Sequence, residues 1–122
     1  MLIGVYGTLK KGKGLHKVME NCEFKGDDYI FGSLYHFENG NYPIFVNEGN
    51  DRIKIEIYEV DDEKLKVLDK IEGHPKIYER TKITTENNKE IEVYTMSKEK
   101  LFSLFPENAL KKLEQNENEI NW

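Results

Sequence analysis

Two short stretches hold the residues whose types and spacing could do chemistry. The first is Gly-Val-Tyr-Gly-Thr-Leu-Lys-Lys-Gly-Lys-Gly, residues 4–14. Gly7, Gly12 and Lys13 fall on the G-x-x-x-x-G-K spacing of a nucleoside-triphosphate loop. An apolar stretch, Leu2 to Tyr6, runs into it as a strand would. That motif needs a Ser or Thr hydroxyl at the next position to hold Mg²⁺, and residue 14 is Gly. What remains is the chemistry of an anion nest, in which successive backbone N–H groups of a Gly-containing turn converge on a carboxylate or phosphate. Lys10, Lys11 and Lys13 would add positive field, although loop lysines equally fit a solvated basic face. Taken alone, the stretch also fits a plain strand and turn.

The second stretch is Leu-Asp-Lys-Ile-Glu-Gly-His-Pro-Lys-Ile-Tyr-Glu-Arg, residues 68–80. Glu72 is expected at the C-terminal end of a helix, against the negative pole of its dipole. Ile71, Pro75, Ile77 and Tyr78 surround it in sequence. Both features oppose ionisation and should raise its pKa, as a proton acceptor working near neutral pH requires. A solvated Glu at a helix end is the plainer alternative. His16, His36 and His74 lie on different expected elements without helical pairing, so they predict no metal site. His74 is close enough in sequence to assist Glu72. No Ser or Cys sits in a nucleophile context, and Cys22 falls on an apolar stripe, where it reads as core.

These residues need elements to hold them. Residues 2–6 read as a short buried strand. Leu15, Val18, Met19 and Cys22 recur at i, i+3, i+4, i+7, the spacing of an amphipathic helix. Tyr29 to Phe37 reads as a strand interrupted by Gly32, and Tyr42 to Val46 as another, opened by the turn residues Asn-Gly-Asn-Tyr-Pro. Then comes strict alternation, with Ile53, Ile55 and Ile57 facing one way and Lys54, Glu56 and Tyr58 the other, a half-buried strand. The clearest helix follows. Asp61 can cap it, Asp62 and Glu63 favour its N-terminus, and Val60 can staple onto Leu65. Leu65, Leu68 and Ile71 form its apolar stripe, Gly73 ends it and Pro75 prevents its restart. Two further strand patterns flank Glu86-Asn87-Asn88, a hairpin turn because Asn tolerates positive φ. The tail from about residue 97 predicts one or two helices broken by Pro106.

Composition narrows the classes. A chain of 122 residues, 38% hydrophobic and 34% charged, predicts one domain with a modest core, to which 7 Tyr and 6 Phe contribute heavily. The net charge of −5 argues against general nucleic-acid affinity, which needs a basic surface. A single cysteine permits no internal disulfide, which points to a reducing, cytoplasmic setting. No run approaches the ~18 apolar residues of a membrane span, and no basic segment precedes an apolar one as in a secretory signal. The expected class is α+β, a small curled sheet or barrel with short helices.

Taken together, the two stretches resemble the gamma-glutamylcyclotransferase-like family. Val-Tyr-Gly-Thr-Leu-Lys-Lys-Gly is followed some sixty residues later by Leu-Asp-Lys-Ile-Glu-Gly-His-Pro-Lys-Ile-Tyr-Glu-Arg-Thr. Between and after them, Tyr-Pro-Ile-Phe-Val, Ile-Lys-Ile-Glu-Ile-Tyr-Glu-Val-Asp, Glu-Val-Tyr-Thr-Met and the final Trp122 also match. The similarity is greatest to the short gamma-glutamylamine cyclotransferase branch and covers roughly residues 1–96. It implies a single domain, residues 1–122, built as a small mixed β-barrel with a polar cavity near one end and a variable helical tail from about residue 97. It implies that Tyr6, Gly7, Thr8 and Leu9 bind the gamma-glutamyl group through their backbone, Gly7 by allowing close approach. Tyr78 and Tyr94 are implied as further substrate contacts, and Glu72 as the proton acceptor. The implied reaction is attack of the substrate's α-amine on its own γ-carbonyl, releasing 5-oxoproline and a free amine without metal or cofactor. The expected partner is thus a small gamma-glutamyl compound, with no nucleic acid or membrane. A rival implication is a non-catalytic member holding a small anion in the same cavity. One departure bears on the substrate: Ile55 replaces the family's strand glycine, and would reshape the pocket if it faced it.

Overall fold

In the computed structural model, residues 1–37, 42–116 and 118–122 are described. Six strands form one mixed sheet: β1 (Leu2–Val5), β2 (Glu23–Phe37), β3 (Pro43–Glu59), β4 (Glu79–Thr84), β5 (Glu90–Thr95) and β6 (Leu110–Lys112). Their order across the sheet is β4-β5-β1-β3-β2-β6. β1 lies parallel to β5 and antiparallel to β3, and the other neighbouring pairs are antiparallel. The sheet curls into a half-barrel, and helices α1 (Asp62–Glu72) and α2 (Lys98–Leu104) pack on it.

Each sheet face carries its own core. The alternation in β3 sends Ile53, Ile55 and Ile57 into one cluster with Ile30, Leu34, Phe45 and Val93. Tyr58 joins the other, where Leu68 of α1 and Leu101 of α2 pack on Ile3, Val5 and Met96. Ile55 is therefore core and not among the cavity residues described below, so the replaced glycine leaves the pocket's shape alone.

The expected elements differ from the fold in four places. The stripe from Leu15 to Cys22 makes only a single 3₁₀ turn, His16–Met19, with no side-chain cap. A helix nucleus is costly, and Gly12 and Asn21, both at positive φ, bound the segment closely. β2 begins at Glu23, ahead of the expected Tyr29, its register shifting beside Gly26 and again at Gly32. The two strands expected on either side of residues 47–51 are one, β3, because both halves pair with β2 across that second shift. Of the turn residues proposed to open it, Asn39, Gly40 and Asn41 lie outside the described residues. The tail is helical through α2 and a 3₁₀ turn, Glu107–Ala109, but Leu110–Lys112 then forms β6 against Tyr35–Phe37. No helix among the described residues is long and apolar enough to cross a membrane.

The elements that carry the two chemical stretches form as their sequences direct. The Asp61 side chain accepts from Lys64 N–H at 2.7 Å, capping α1. At the other end Gly73 takes the left-handed conformation, φ 68°, and His74 N–H bonds Asp69 O at 2.9 Å. This closure turns the chain back on itself, so that Tyr78 N–H reaches Glu72 O at 3.3 Å.

Candidate active site

β1 ends at Val5, and the chain leaves the sheet in a turn closed by Lys10 N–H on Gly7 O at 3.0 Å. Thr8 O accepts from Leu15 N–H, and His16 Nδ1 donates to Leu9 O, both at 2.8 Å. The carbonyls of the turn are thus tied inward. Among the described residues, none accepts a hydrogen bond from the N–H groups of Gly7, Thr8 or Leu9. Three consecutive backbone donors without an acceptor among the described residues are the makings of an anion nest. Gly7 serves the turn through packing: a methyl group there would sit 2.6 Å from Pro43 Cγ. Gly7 thus allows close approach to Pro43, while it also lines the cavity where the sequence reading expects a ligand.

Beside this turn lies a cavity of about 490 Å³. Tyr6, Gly7, Thr8 and Leu9 line one side, Ile71, Glu72, Ile77 and Tyr78 another, and Tyr94 contributes from β5. Tyr6, Gly7, Thr8, Leu9, Glu72, Tyr78 and Tyr94, the residues that the family resemblance implied for the site, thus reach one cavity, whereas Lys10, Lys11, Lys13 and His74 do not line it. The tyrosine hydroxyls are not equivalent. Tyr6 donates to Tyr94 O at 2.8 Å and accepts from Phe45 N–H at 3.2 Å, so it ties β5 to β3. Tyr94 donates to Asp69 Oδ1 at 2.6 Å, and Asp69 also pairs with Arg80 Nε at 2.8 Å. These two rings shape the cavity while their hydroxyls hold the frame. The Tyr78 hydroxyl has no hydrogen-bond partner among the described residues. Burial first and the Glu72 charge second push its pKa up, so it remains a neutral donor.

Glu72 is part-exposed, open to solvent on the cavity side. Among the described residues no cation pairs with its carboxyl and no group donates a hydrogen bond to it. The surrounding protein desolvates it and lifts its pKa from 4.5 to about 7. His74 does not assist it: its Nδ1 accepts from Arg80 N–H at 3.1 Å, and the ring is absent from the cavity lining.

Sequence reasoning missed three parts of this arrangement. Asp69 and Arg80 lie in the second stretch, but their pairing across α1 and β4 needed the tertiary contact. Ile71, read as the last core position of α1, is 44% exposed and lines the cavity. Lys10, read as solvated, is 5% exposed; its Nζ donates to Asn121 Oδ1 at 2.6 Å and to Trp122 O at 3.1 Å. Lys11 and Lys13 do face outward, over the rings of Phe24 and Trp122.

Residues 3–119 match the family model described as gamma-glutamyl cyclotransferase, AIG2-like. A Pyrococcus horikoshii protein, provisionally named a gamma-glutamylcyclotransferase, is 41% identical over 70 residues, 57% of this chain and 58% of its own. The rat gamma-glutamylaminecyclotransferase is 37% identical over 89 residues, 65% of this chain and 59% of its own. The matched chain therefore spans less than two thirds of the length of either relative. The crystal structure of a mouse AIG2-like protein superimposes with a TM-score of 0.71 at 31% identity, covering 83% of this chain and 82% of that one.

Proposed function

The chain belongs to the gamma-glutamyl cyclotransferase, AIG2-like family, and on that premise we propose that it releases 5-oxoproline and a free amine from a gamma-glutamyl substrate, with Glu72 as the proton acceptor. One observation carries this reading. A carboxyl without a partner among the described residues, its pKa raised to about 7, shares a cavity with three consecutive backbone N–H donors.

In this reaction the substrate's α-nitrogen attacks its own γ-carbonyl, and orientation supplies much of the rate because both groups are on one molecule. Glu72 takes the proton from the ammonium as the new C–N bond closes the ring. The N–H groups of Gly7, Thr8 and Leu9 are the donors for the oxyanion that develops on the carbonyl oxygen. Glu72 then gives that proton to the leaving nitrogen as the original amide C–N bond breaks, and takes up the second proton that the ring nitrogen sheds, passing it to the released amine or to solvent. An ordinary Glu near 4.3 taking a proton from an α-ammonium near 8 works uphill by roughly 5 kcal/mol. At the folded value of about 7 the gap falls to ~1.4 kcal/mol. Burial of the carboxyl is thus what suits it to the task.

The decisive experiment follows 5-oxoproline release from a panel of gamma-glutamyl amides, against pH, for the wild type and Glu72→Gln. Glutamine keeps the shape and an acceptor oxygen but cannot take a proton. Turnover is expected to fall at least ~10²-fold, and the wild-type kcat/KM to rise with pH through an apparent pKa near 7. Equal turnover by the two proteins would remove Glu72 from the role. Tight binding of gamma-glutamyl compounds with no 5-oxoproline from either protein would establish the non-catalytic alternative.

A further inference from the structure

The cavity has a polar end and an apolar mouth, and only the polar end is used by the reaction proposed above. Leu15, Tyr42, Ile71 and Ile77 line the cavity, yet they are 42%, 40%, 44% and 50% exposed. Large apolar side chains left open to water in one place mark a contact surface. They arrive from four separate segments: Leu15 from the start of the 3₁₀ turn, Tyr42 from just before β3, Ile71 from the last turn of α1, and Ile77 from the fold-back after it. Ile71 occupies the apolar stripe of α1, whose other members Leu65 and Leu68 pack inward. Its neighbours on the helix cannot bury it, because the cavity begins there.

Charge is the second observation. Among the described residues lining the cavity, Glu72 is the only one with an ionisable acid or basic side chain; no Lys, Arg or His contributes. Among the described residues the mouth thus presents no cationic side chain to replace the hydration of a charged group, and moving one there costs solvation. Size is the third. A cavity of about 490 Å³ lies within the ~300–1,000 Å³ range of small-molecule sites, more than a glutamyl group alone would occupy.

Resting on the proposed reaction, we infer that the amine released by this protein is an uncharged, apolar one, an alkyl or aryl amine seated against Leu15, Tyr42, Ile71 and Ile77, and not an amino acid. The gamma-glutamyl end is common to every candidate substrate, so the mouth is where one is told from another. A buried methylene is worth about fourfold at full burial, and two- to fourfold is the expectation for a part-open mouth.

The test measures kcat/KM for 5-oxoproline release from gamma-glutamyl methyl-, propyl-, butyl- and pentylamide, and from two amino-acid amides, gamma-glutamylglycine and the gamma-glutamyl isopeptide of the lysine ε-amine. The lysine compound has the pentylamide's chain with a carboxylate and an ammonium added, so the pair isolates the cost of charge. The alkyl series is expected to rise two- to fourfold per methylene, and the pentylamide to exceed the lysine compound at least tenfold. Ile71→Gln and Ile77→Gln remove apolar surface without opening a core. Each is expected to flatten the dependence on chain length, the loss appearing mainly in KM. A flat alkyl series, or a lysine compound equal to or better than the pentylamide, overturns the inference while leaving the cyclotransferase reading standing. No 5-oxoproline from any of the six overturns both.

Discussion

Glu72 answers to two opposed demands, one from stability and one from chemistry. A carboxyl whose pKa is raised in the folded state, here from 4.5 to about 7, binds its proton more tightly when folded than when unfolded. Stability therefore falls as pH climbs through that interval, and above it the full cost of a desolvated charge is present. The interval corresponds to ~3 kcal/mol at most, and water reaching the carboxyl through the cavity reduces this to about 1–3 kcal/mol. Glu72→Gln carries no charge to desolvate. Its unfolding free energy at pH 8 should exceed the wild type's by that amount, while at pH 4, where Glu72 is protonated, the two should agree. Denaturant melts at the two pH values check this, and equal stabilities at pH 8 would show the carboxyl to be well solvated. A variant more stable and less active than its parent is the pattern expected where a group is held out of water for its reactivity.

At the scale of elements, the site depends on how α1 ends. Gly73 closes the helix at φ 68°, and a methyl group there would also lie 2.9 Å from Ile77 Cδ1. A left-handed backbone costs an L-residue roughly 1–2 kcal/mol, so Gly73→Ala should lose about that much stability or more. The same change displaces the fold-back that sets Ile77 and Tyr78 beside Glu72, and turnover should fall with it. Thermal melts and 5-oxoproline assays on the one variant check both, and unchanged values in each would show that the helix end tolerates alanine. The helix is also tied at its side: Asp69 accepts from Tyr94 and Arg80, and Arg80 reaches Glu92 at 3.3 Å. These contacts link α1 to β4 and β5.

At the scale of the whole molecule, the N-terminal turn and the last residues of the sequence meet. Ile120 bonds the β3 backbone, donating to Arg52 O at 2.7 Å and accepting from Lys54 N–H at 2.8 Å. Asn121 and Trp122 thereby come within reach of Lys10, beside a polar cavity of about 250 Å³. Burial lowers the Lys10 pKa, and its two hydrogen bonds hold the turn that bears Gly7, Thr8 and Leu9 against the tail. Lys10→Met keeps the stem and removes the donors, and should cost about 1–2 kcal/mol, since charged groups make the stronger hydrogen bonds, while the exposed Asn121 acceptor returns to water. Lys11→Ser with Lys13→Ser should stay within about 1 kcal/mol. Denaturant midpoints for the two proteins check the contrast. A Lys10→Met midpoint at the wild-type value would return Lys10 to the solvated loop that its sequence suggests.

The sequence alone determined whatever depends on neighbours along the chain. The cap at Asp61, the stop at Gly73 and the turn at Asn88, φ 62°, are local: each needs only one residue's conformational preference, and each stands where the pattern puts it. The half-buried alternation of β3 is local in the same sense, and so were the two stretches whose residues line the cavity. The fold class was legible from these patterns, and the family from the two stretches. Tertiary structure decided what depends on distant partners. Periodicity says that Ile71 and Lys10 are apolar and charged, but burial is a property of what lies opposite. Ile71 faces a cavity because α1 ends there, and Lys10 is covered because a segment more than a hundred residues later crosses it. The stripe from Leu15 to Cys22 failed as a helix for a local reason that spacing alone does not show, the positive-φ residues Gly12 and Asn21 that bound it. Its spacing was right, but the turn before it had already committed Leu15 to the cavity and His16 to the Leu9 carbonyl.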